Sequence, residues 1–176
     1  MAAKDPVTRF CTAVLILGLY LKLLVFPHPL VFDYSFNQIP LVNATDPYFI
    51  AAALVHLSLL VFAIKTLKSK NLFAFSILYY FITISIFSNI FITIGSSMGE
   101  RFLYAPSLGF CMAVALGISK LASSVEKPAE ASMQPLLQPK LLIPLSLLVV
   151  AYSFKTFAQN PVWKNNYTLY SDGVKN

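Results

Sequence analysis

Five long apolar runs dominate this sequence and limit what it can fold into. They cover residues 10–26, 48–67, 72–94, 102–121 and 141–157. A helix needs about 20 mainly apolar residues to cross the roughly 30 Å hydrocarbon core of a bilayer. The chain is 57% hydrophobic and only 11% charged, whereas an average soluble domain is about 25% charged. We therefore expect an all-α membrane protein of about five transmembrane helices, with residues 1–176 forming one helical domain.

Acid–proline pairs and a proline-rich stretch mark the ends of these runs. Asp5-Pro6 and Asp46-Pro47 each place an N-cap carboxylate before a proline that suits the first helical turn. The Pro27-His28-Pro29 stretch ends the first run, because proline breaks a helix interior. These signals predict where the first two helices begin and where the first one stops.

Lysine and arginine residues give the orientation, since short cytoplasmic loops carry an excess of both. If five spans alternate, one side receives Lys4, Arg9, Lys65, Lys68, Lys70, Lys120, Lys127 and Lys140. The other side receives Arg101, Lys155, Lys164 and Lys175. We expect the first side to be cytoplasmic and to hold the N-terminus and a linker at residues 123–140. The C-terminus, in a tail at residues 160–176, and the sequons at Asn43 and Asn166 then lie on the extracytoplasmic side.

The remaining charged, sulfur and imidazole side chains exclude several kinds of partner. The formal net charge is +6, but the lysines cluster between apolar runs, so we expect no nucleic-acid partner. Cys11 and Cys111 lie within apolar runs and form no CxxC pattern. His28 and His56 have no second ligand at metal spacing, so we predict no metal site.

The third apolar run carries a polar stripe that continues just past its end. It consists of Ser85, Ser88, Asn89, Thr93, Ser96 and Ser97. If the run is one helix, spacings of three, four and eight place these residues on a single face. The stripe then either makes hydrogen bonds to neighbouring helices or forms the wall of a groove for a polar head group.

The next stretch gathers one cation with several hydrogen-bonding groups at the membrane boundary. Arg101 follows Glu100, and Tyr104 and Ser107 come about one turn apart on the same side. The planar guanidinium fork suits phosphate oxygens, which indicates a lipid-phosphate site. The alternative is that Glu100 and Arg101 only mark the water boundary of a helix, with Tyr104 in the aromatic belt.

Two further segments on this side carry aromatic or acidic residues. Asp33, in the loop after the first run, is a general base, a metal ligand or a turn-forming residue. Trp163, with Tyr167 and Tyr170, is typical of an interfacial anchor before a departing tail. Neither segment decides the chemistry by itself.

Three motifs in this sequence resemble a known family. They are Phe32-Asp33-Tyr34-Ser35 with Ile39-Pro40-Leu41; Glu100-Arg101 with Leu103-Tyr104, Pro106-Ser107 and Gly109; and Trp163-Lys164-Asn165-Asn166 with Thr168-Leu169-Tyr170. In this order they resemble the transmembrane and tetratricopeptide-repeat O-mannosyltransferases, which are C-type polyprenyl-phosphate-dependent glycosyltransferases. The resemblance covers residues 27–176.

The resemblance implies transfer of a sugar from a polyprenyl-phosphate carrier to a protein hydroxyl at the extracytoplasmic face. The lipid-linked sugar is then a substrate and no cofactor is implied. Arg101 would stabilise the charge on the departing phosphate, with Glu100, Tyr104 and Ser107 as the other substrate-binding residues. The resemblance supplies no match for the base that accepts the hydroxyl proton, and Asp33 is only a candidate stand-in for it. The membrane would be the bacterial inner membrane or the endoplasmic reticulum.

The sequence also departs from the family's pattern. The acidic catalytic loop and the helix bundle that carries it should come before this sequence, and the helical repeats should follow it. We therefore expect a C-terminal membrane portion whose partners are membrane lipid, polyprenyl phosphate, that N-terminal portion and a helical-repeat domain. Whether it is an enzyme by itself stays open. The alternative function is a non-catalytic membrane scaffold that supplies helices to a complex, and a transporter comes third.

Overall fold

The computed structural model of this chain describes residues 5–31, 34, 38–92, 94–123 and 139–175. Asp33 and Thr93 lie outside this set, and so does most of the linker predicted at residues 123–140. The described residues form α1 (Pro6–Val25), α2 (Pro47–Leu67), α3 (Leu72–Ser85), a 3₁₀ turn (Glu100–Leu103), α4 (Tyr104–Ser123), α5 (Pro139–Gln159), a second 3₁₀ turn (Asn160–Lys164) and α6 (Asn166–Lys175).

The all-α class is confirmed for the described residues, with four helices long and apolar enough to cross a membrane. These are α1, α2, α4 with its preceding turn, and α5. The two acid–proline starts are also confirmed. Asp5 accepts a hydrogen bond from the Thr8 amide at 2.9 Å, and Asp46 accepts one from the Tyr48 amide at 2.8 Å.

Helix α3 is shorter than the sequence predicted. It has 14 residues and ends at Ser85, so it is about 21 Å long, and the predicted span of 72–94 is wrong. Asn89, at φ 57°, donates from its amide to the carbonyls of Ser96 and Ser97 and accepts from the Ile94 amide. Such local side-chain bonds compete with helical ones.

The polar stripe is therefore not one helical face, because its members after Ser85 lie in the connection between α3 and α4. Ser88 is buried there and donates to the Ser85 carbonyl at 2.7 Å. The described residues of the stripe fold this connection onto itself.

Two glycines let neighbouring helices come close. A Cβ added to Gly109 of α4 would lie 2.6 Å from the Ser76 carbonyl oxygen and 3.0 Å from the Tyr80 amide nitrogen of α3. A Cβ on Gly18 of α1 would lie 2.6 Å from the Ala52 Cβ of α2. Glycine at these points permits contact with the neighbouring helix itself.

Helices α1 and α2 run parallel to each other. Near their starts, the Thr8 hydroxyl lies 3.4 Å from the Asn43 side-chain oxygen, and the Val42 amide donates to the Thr12 hydroxyl at 3.2 Å. Further along both helices, Gly18 meets Ala52. The prediction of five alternating spans is therefore wrong for α1, since α1 and α2 begin at the same end of the bundle.

The segment predicted as a departing tail also folds differently. After α5 the chain makes a 3₁₀ turn and forms α6, and the Gln38 side-chain amide donates to the Gly173 carbonyl of α6 at 2.9 Å. Trp163, Tyr167 and Tyr170 are exposed, as an interfacial anchor requires. The contact from Gln38 holds α6 at the end of the bundle where α4 begins.

Candidate functional site

The 3₁₀ turn that precedes α4 is fixed by a buried tyrosine of α1. The Tyr20 hydroxyl accepts a hydrogen bond from the Gly99 amide at 3.1 Å and lies 3.4 Å from the Gly99 carbonyl oxygen. Tyr20 is fully buried. The backbone just before Glu100 is therefore held against α1, which sets the position of the residues that follow.

Glu100 binds the segment that follows α1. Its Oε1 accepts hydrogen bonds from the Val31 amide and from the Tyr34 hydroxyl, the latter at 3.4 Å. The Tyr34 hydroxyl also lies 3.1 Å from the Pro29 carbonyl oxygen, so its one proton serves two acceptors. Burial, and secondly the Glu100 charge, raise the pKa of Tyr34 far above its ordinary value, which keeps it a donor.

Arg101 is exposed and points away from these contacts. Its guanidinium carbon lies 5.0 Å from the centre of the Phe102 ring, and that ring stacks on Phe87 with centroids 4.6 Å apart. Among the described residues, the Arg101 guanidinium forms no ion pair with Glu100, whose Oε1 accepts from the Val31 amide and the Tyr34 hydroxyl. Because Arg101 is exposed, its charge is accessible to an anion from outside.

Tyr104 and Ser107 have different surroundings. Tyr104 is 89% exposed, whereas the half-buried Ser107 donates from its hydroxyl to the Tyr104 carbonyl at 2.7 Å. Ser107 also lines a groove. Arg101, Tyr104 and Ser107 therefore share one end of α4 without touching through their side chains, and Glu100 is engaged elsewhere.

The groove lies between α1, α4 and α5 and has a volume of about 520 Å³. Its wall includes Leu24, Ser107, Phe110, Val114, Leu148 and Tyr152. Ser107 and Tyr152 contribute hydroxyl groups to the lining, and most of the other lining residues are apolar. An open groove of this character suits a hydrocarbon chain that enters from the bilayer.

A polar face of α5 borders the groove. The Tyr152 hydroxyl lies 2.6 Å from the Leu24 carbonyl oxygen, and the Gln159 amide donates to the Leu30 carbonyl at 3.1 Å. Between them, the Lys155 ammonium lies 3.2 Å from Nδ1 of His28. Sequence reasoning missed these groups. Their spacing of three and four residues in an apolar run was the available signal.

Other polar groups lie deeper in the bundle. His56 bonds through Nδ1 to the Ala52 carbonyl at 2.8 Å, while its Nε2 and the Tyr80 hydroxyl are buried with no partner in the described structure. No group of three or more candidate metal ligands occurs among the described residues. Asp33, the candidate base, is outside the described residues, so its surroundings are not defined.

These features define a multi-pass membrane protein with an arginine and a lipid-facing groove at one end, and sequence comparison supplies the family. The family model described as Protein O-mannosyl-transferase TMTC, DUF1736 matches residues 1–60. The chain is 31% identical to mouse protein O-mannosyl-transferase TMTC1 over 96% of its own length. It is 30% identical to Drosophila melanogaster protein O-mannosyl-transferase Tmtc3 over 98%. The chain belongs to the TMTC family.

The chain is much shorter than these relatives. It spans 18% of the length of mouse TMTC1 and 18% of Drosophila Tmtc3. Human TMTC3 is 37% identical over 50% of the chain, which is 8% of that protein. No solved structure matches the chain.

Proposed function

We propose that this chain is a membrane glycosyltransferase-like protein that binds a polyprenyl-phosphate sugar for transfer to a protein hydroxyl. The relatives are named as protein O-mannosyl-transferases, which supports the class of reaction. The observation that carries the proposal is the groove of about 520 Å³ whose lining includes Ser107. Arg101 lies in the turn just before α4 begins, at the end of α4 that also carries Ser107.

In this proposal, the groove and Arg101 contact different parts of the lipid-linked sugar. The isoprenoid chain would lie against the apolar wall of the groove, and the phosphate would meet Arg101 at the membrane boundary. In the reaction, the bond between the sugar and the phosphate breaks, a bond from the sugar to the acceptor oxygen forms, and the phosphate leaves with the electron pair. A guanidinium stabilises the negative charge that builds on that phosphate.

The hydroxyl proton must go to a base. Asp33 is the sequence candidate for this role. Glu100 is the other carboxylate near the turn, and its Oε1 accepts two hydrogen bonds from the protein. Tyr104, exposed beside the turn, and Ser107 are the hydrogen-bonding partners that we assign to the substrate.

We propose an extracytoplasmic site, as the family resemblance implies. The connection between α2 and α3 lies at the opposite end of the bundle from Glu100, and it carries Lys68 and Lys70 beside Lys65. Lys120, near the end of α4, lies at that opposite end too. Because short cytoplasmic loops are enriched in lysine, we assign the end with this cluster to the cytoplasm. The parallel course of α1 moves Arg9 to the Glu100 end, where Arg101, Lys155 and Lys164 also lie, so the N-terminus predicted as cytoplasmic is placed in this proposal on the same side as the site.

The test is binding of a polyprenyl-phosphate mannose to the full chain in lipid nanodiscs. We expect Arg101→Ala to weaken binding at least tenfold, because the phosphate loses its charged partner. Arg101→Lys should retain part of the affinity, since the charge remains without the planar fork. Lys164→Ala removes an exposed cation from the turn after α5 and is the matched control. Unchanged binding in Arg101→Ala would overturn the proposal.

The scaffold alternative depended on Ser88 and Asn89 as glue between helices. In the structure both side chains bond within the connection between α3 and α4. The hydrogen bonds of both side chains are therefore local and do not join separate helices. No observation in the described residues favours the scaffold over the glycosyltransferase-like function.

A further inference from the structure

We propose that α1 is a re-entrant helix that enters the membrane from the Glu100 end, does not reach the opposite surface and returns to the same end. Its tip, at Val25 and Phe26, then contacts lipid hydrocarbon. The inference does not rest on the proposed function, because it concerns the path of the backbone and not the occupant of the groove.

The first observation is that the start of α1 and the segment after α1 lie at the same end of the bundle. The start of α1 meets the start of α2 through Thr8 and Asn43. The segment after α1 returns past the turn before α4, since the Val31 amide donates to Glu100 and the Tyr34 amide donates to the Met98 carbonyl at 3.3 Å. A helix that crossed the bilayer would deliver the chain to the opposite end.

The second observation is the depth of the tip. Leu24 and Val25 line the groove together with Phe110 and Val114, which lie well inside α4. The N-terminal half of α1 packs lower in the bundle, where Phe10 shares a cavity with Phe91 of the connection after α3. Helix α1 therefore ends beside the middle of α4 but about one turn short of the far end of α2, because Leu21 shares a cavity with Leu59. Val25 and Phe26 are 66% and 61% exposed there. Lys22, one turn earlier, is exposed as well, so its ammonium must reach a polar boundary along its aliphatic stem.

The third observation is how the tip satisfies its backbone. The last carbonyls of a helix lack partners within it, and hydrocarbon offers none, so each must find a donor in the protein. The Tyr152 hydroxyl lies 2.6 Å from the Leu24 carbonyl oxygen and 3.1 Å from that of Val25. Gln159 serves the carbonyl of Leu30 on the return path. Helix α5 thus provides the donors that a helix end inside a membrane needs.

Backbone amides at the tip of α1 also have hydrogen-bond acceptors. The Phe26 amide donates to the Lys22 carbonyl at 2.7 Å, and the His28 amide donates to the Phe26 carbonyl at 2.8 Å. Pro27 and Pro29 have no amide hydrogen, so they add no donor at membrane depth. The proline-rich stretch that ends the helix also suits a turn without water.

The test uses single cysteines in the full chain with Cys11→Ala and Cys111→Ala as background, in sealed vesicles of uniform orientation. Val7→Cys reports the start of α1, Ser69→Cys reports the connection after α2, and Tyr167→Cys reports α6; all three positions are exposed. A membrane-impermeant maleimide is added before and after permeabilisation. We expect Val7→Cys to label from the same side as Tyr167→Cys and from the opposite side to Ser69→Cys.

A second measurement gives the depth of the tip. A nitroxide attached at Phe26→Cys should collide readily with oxygen and rarely with a water-soluble nickel complex, because it lies in hydrocarbon. The same nitroxide at Val7→Cys, near the boundary, is the control and should collide with the nickel complex. Labelling of Val7→Cys together with Ser69→Cys, or free access of nickel to position 26, would show that α1 crosses the bilayer and would overturn the inference.

Discussion

Glu100 and Arg101 are adjacent in the sequence but have opposite surroundings. The carboxylate turns inward to the Val31 amide and the Tyr34 hydroxyl, while the guanidinium stays exposed above the Phe102 ring. Both hydrogen bonds converge on Oε1 of Glu100 and join the turn to the segment that follows α1. At the scale of single residues, Glu100 therefore positions the turn, and Arg101 remains available for an anion.

Substitution of Glu100 should separate these two roles. In Glu100→Ala the Val31 amide and the Tyr34 hydroxyl lose an acceptor, so we expect the free energy of unfolding to fall by about 1–3 kcal/mol. Glu100→Gln keeps an acceptor oxygen and should lose less. The measurement is chemical unfolding in detergent micelles followed by tryptophan fluorescence. Equal stability of the Ala and Gln variants would contradict the assigned hydrogen bonds.

The end of α3 shows what a single residue can hide from sequence reasoning. The apolar run continues from Leu72 to Ile94, and hydropathy alone gives no reason to end the helix at Ser85. Asn89 changes the outcome, because it adopts a left-handed backbone conformation and its side chain bonds to three backbone groups. Asparagine tolerates that conformation better than most residues. Asn89 is visible in the sequence, but its effect on the helix depends on the turn at residues 94–97 to which its side chain bonds.

Among the elements, α3 and α4 form the closest pair because Gly109 leaves room for the backbone of α3. Addition of a methyl group there would meet the Ser76 carbonyl and the Tyr80 amide, neither of which can rotate away. The same helix carries Gly117, which has no heavy atom within 4 Å of its added Cβ position. The two glycines therefore offer a matched comparison within one helix.

Gly109→Ala should destabilise the chain by about 1–3 kcal/mol, the usual cost of overpacking. Gly117→Ala should be neutral or stabilise it by up to about 1 kcal/mol, since alanine favours a helix over glycine. Thermal unfolding of both variants in the same detergent checks this difference. A Gly109→Ala variant as stable as Gly117→Ala would mean that α3 and α4 do not approach as closely as the structure indicates.

The sequence predicted where helices form better than how they run. Helix starts at Asp5 and Asp46 depend on neighbours three residues away, so local chemistry is enough to find them. The direction of α1 depends on distant partners, such as Thr8 with Asn43 and Leu24 with Tyr152. Hydropathy cannot tell a crossing helix from a re-entrant one of the same length, because both need the same apolar surface.

At the scale of the whole molecule, the groove joins parts of the chain that are far apart in sequence. Leu24 of α1, Val114 of α4 and Leu148 of α5 line one surface, and no motif links them. The sequence could identify Arg101 and Ser107 as candidates, because charge and spacing are local properties. It could not supply the groove, which exists only once α5 packs beside the tip of α1.

Filling this groove should separate recognition of the lipid chain from recognition of the phosphate. Val114→Trp places a large ring in the apolar part of the groove and leaves Arg101 unchanged. We expect it to weaken binding of a long-chain polyprenyl-phosphate mannose at least tenfold, about 1.4 kcal/mol or more. Binding of a short-chain analogue should change little, because that ligand depends mainly on its phosphate.

Leu54→Trp is the matched control, since Leu54 is exposed on α2 and does not line the groove. Both variants can be compared by titration in nanodiscs of the same lipid. If Val114→Trp weakened both ligands equally, the ring would be disturbing the fold or the phosphate site. If it weakened neither, the isoprenoid chain would have to lie on another surface, and the binding mode derived from α1, α4 and α5 would be wrong.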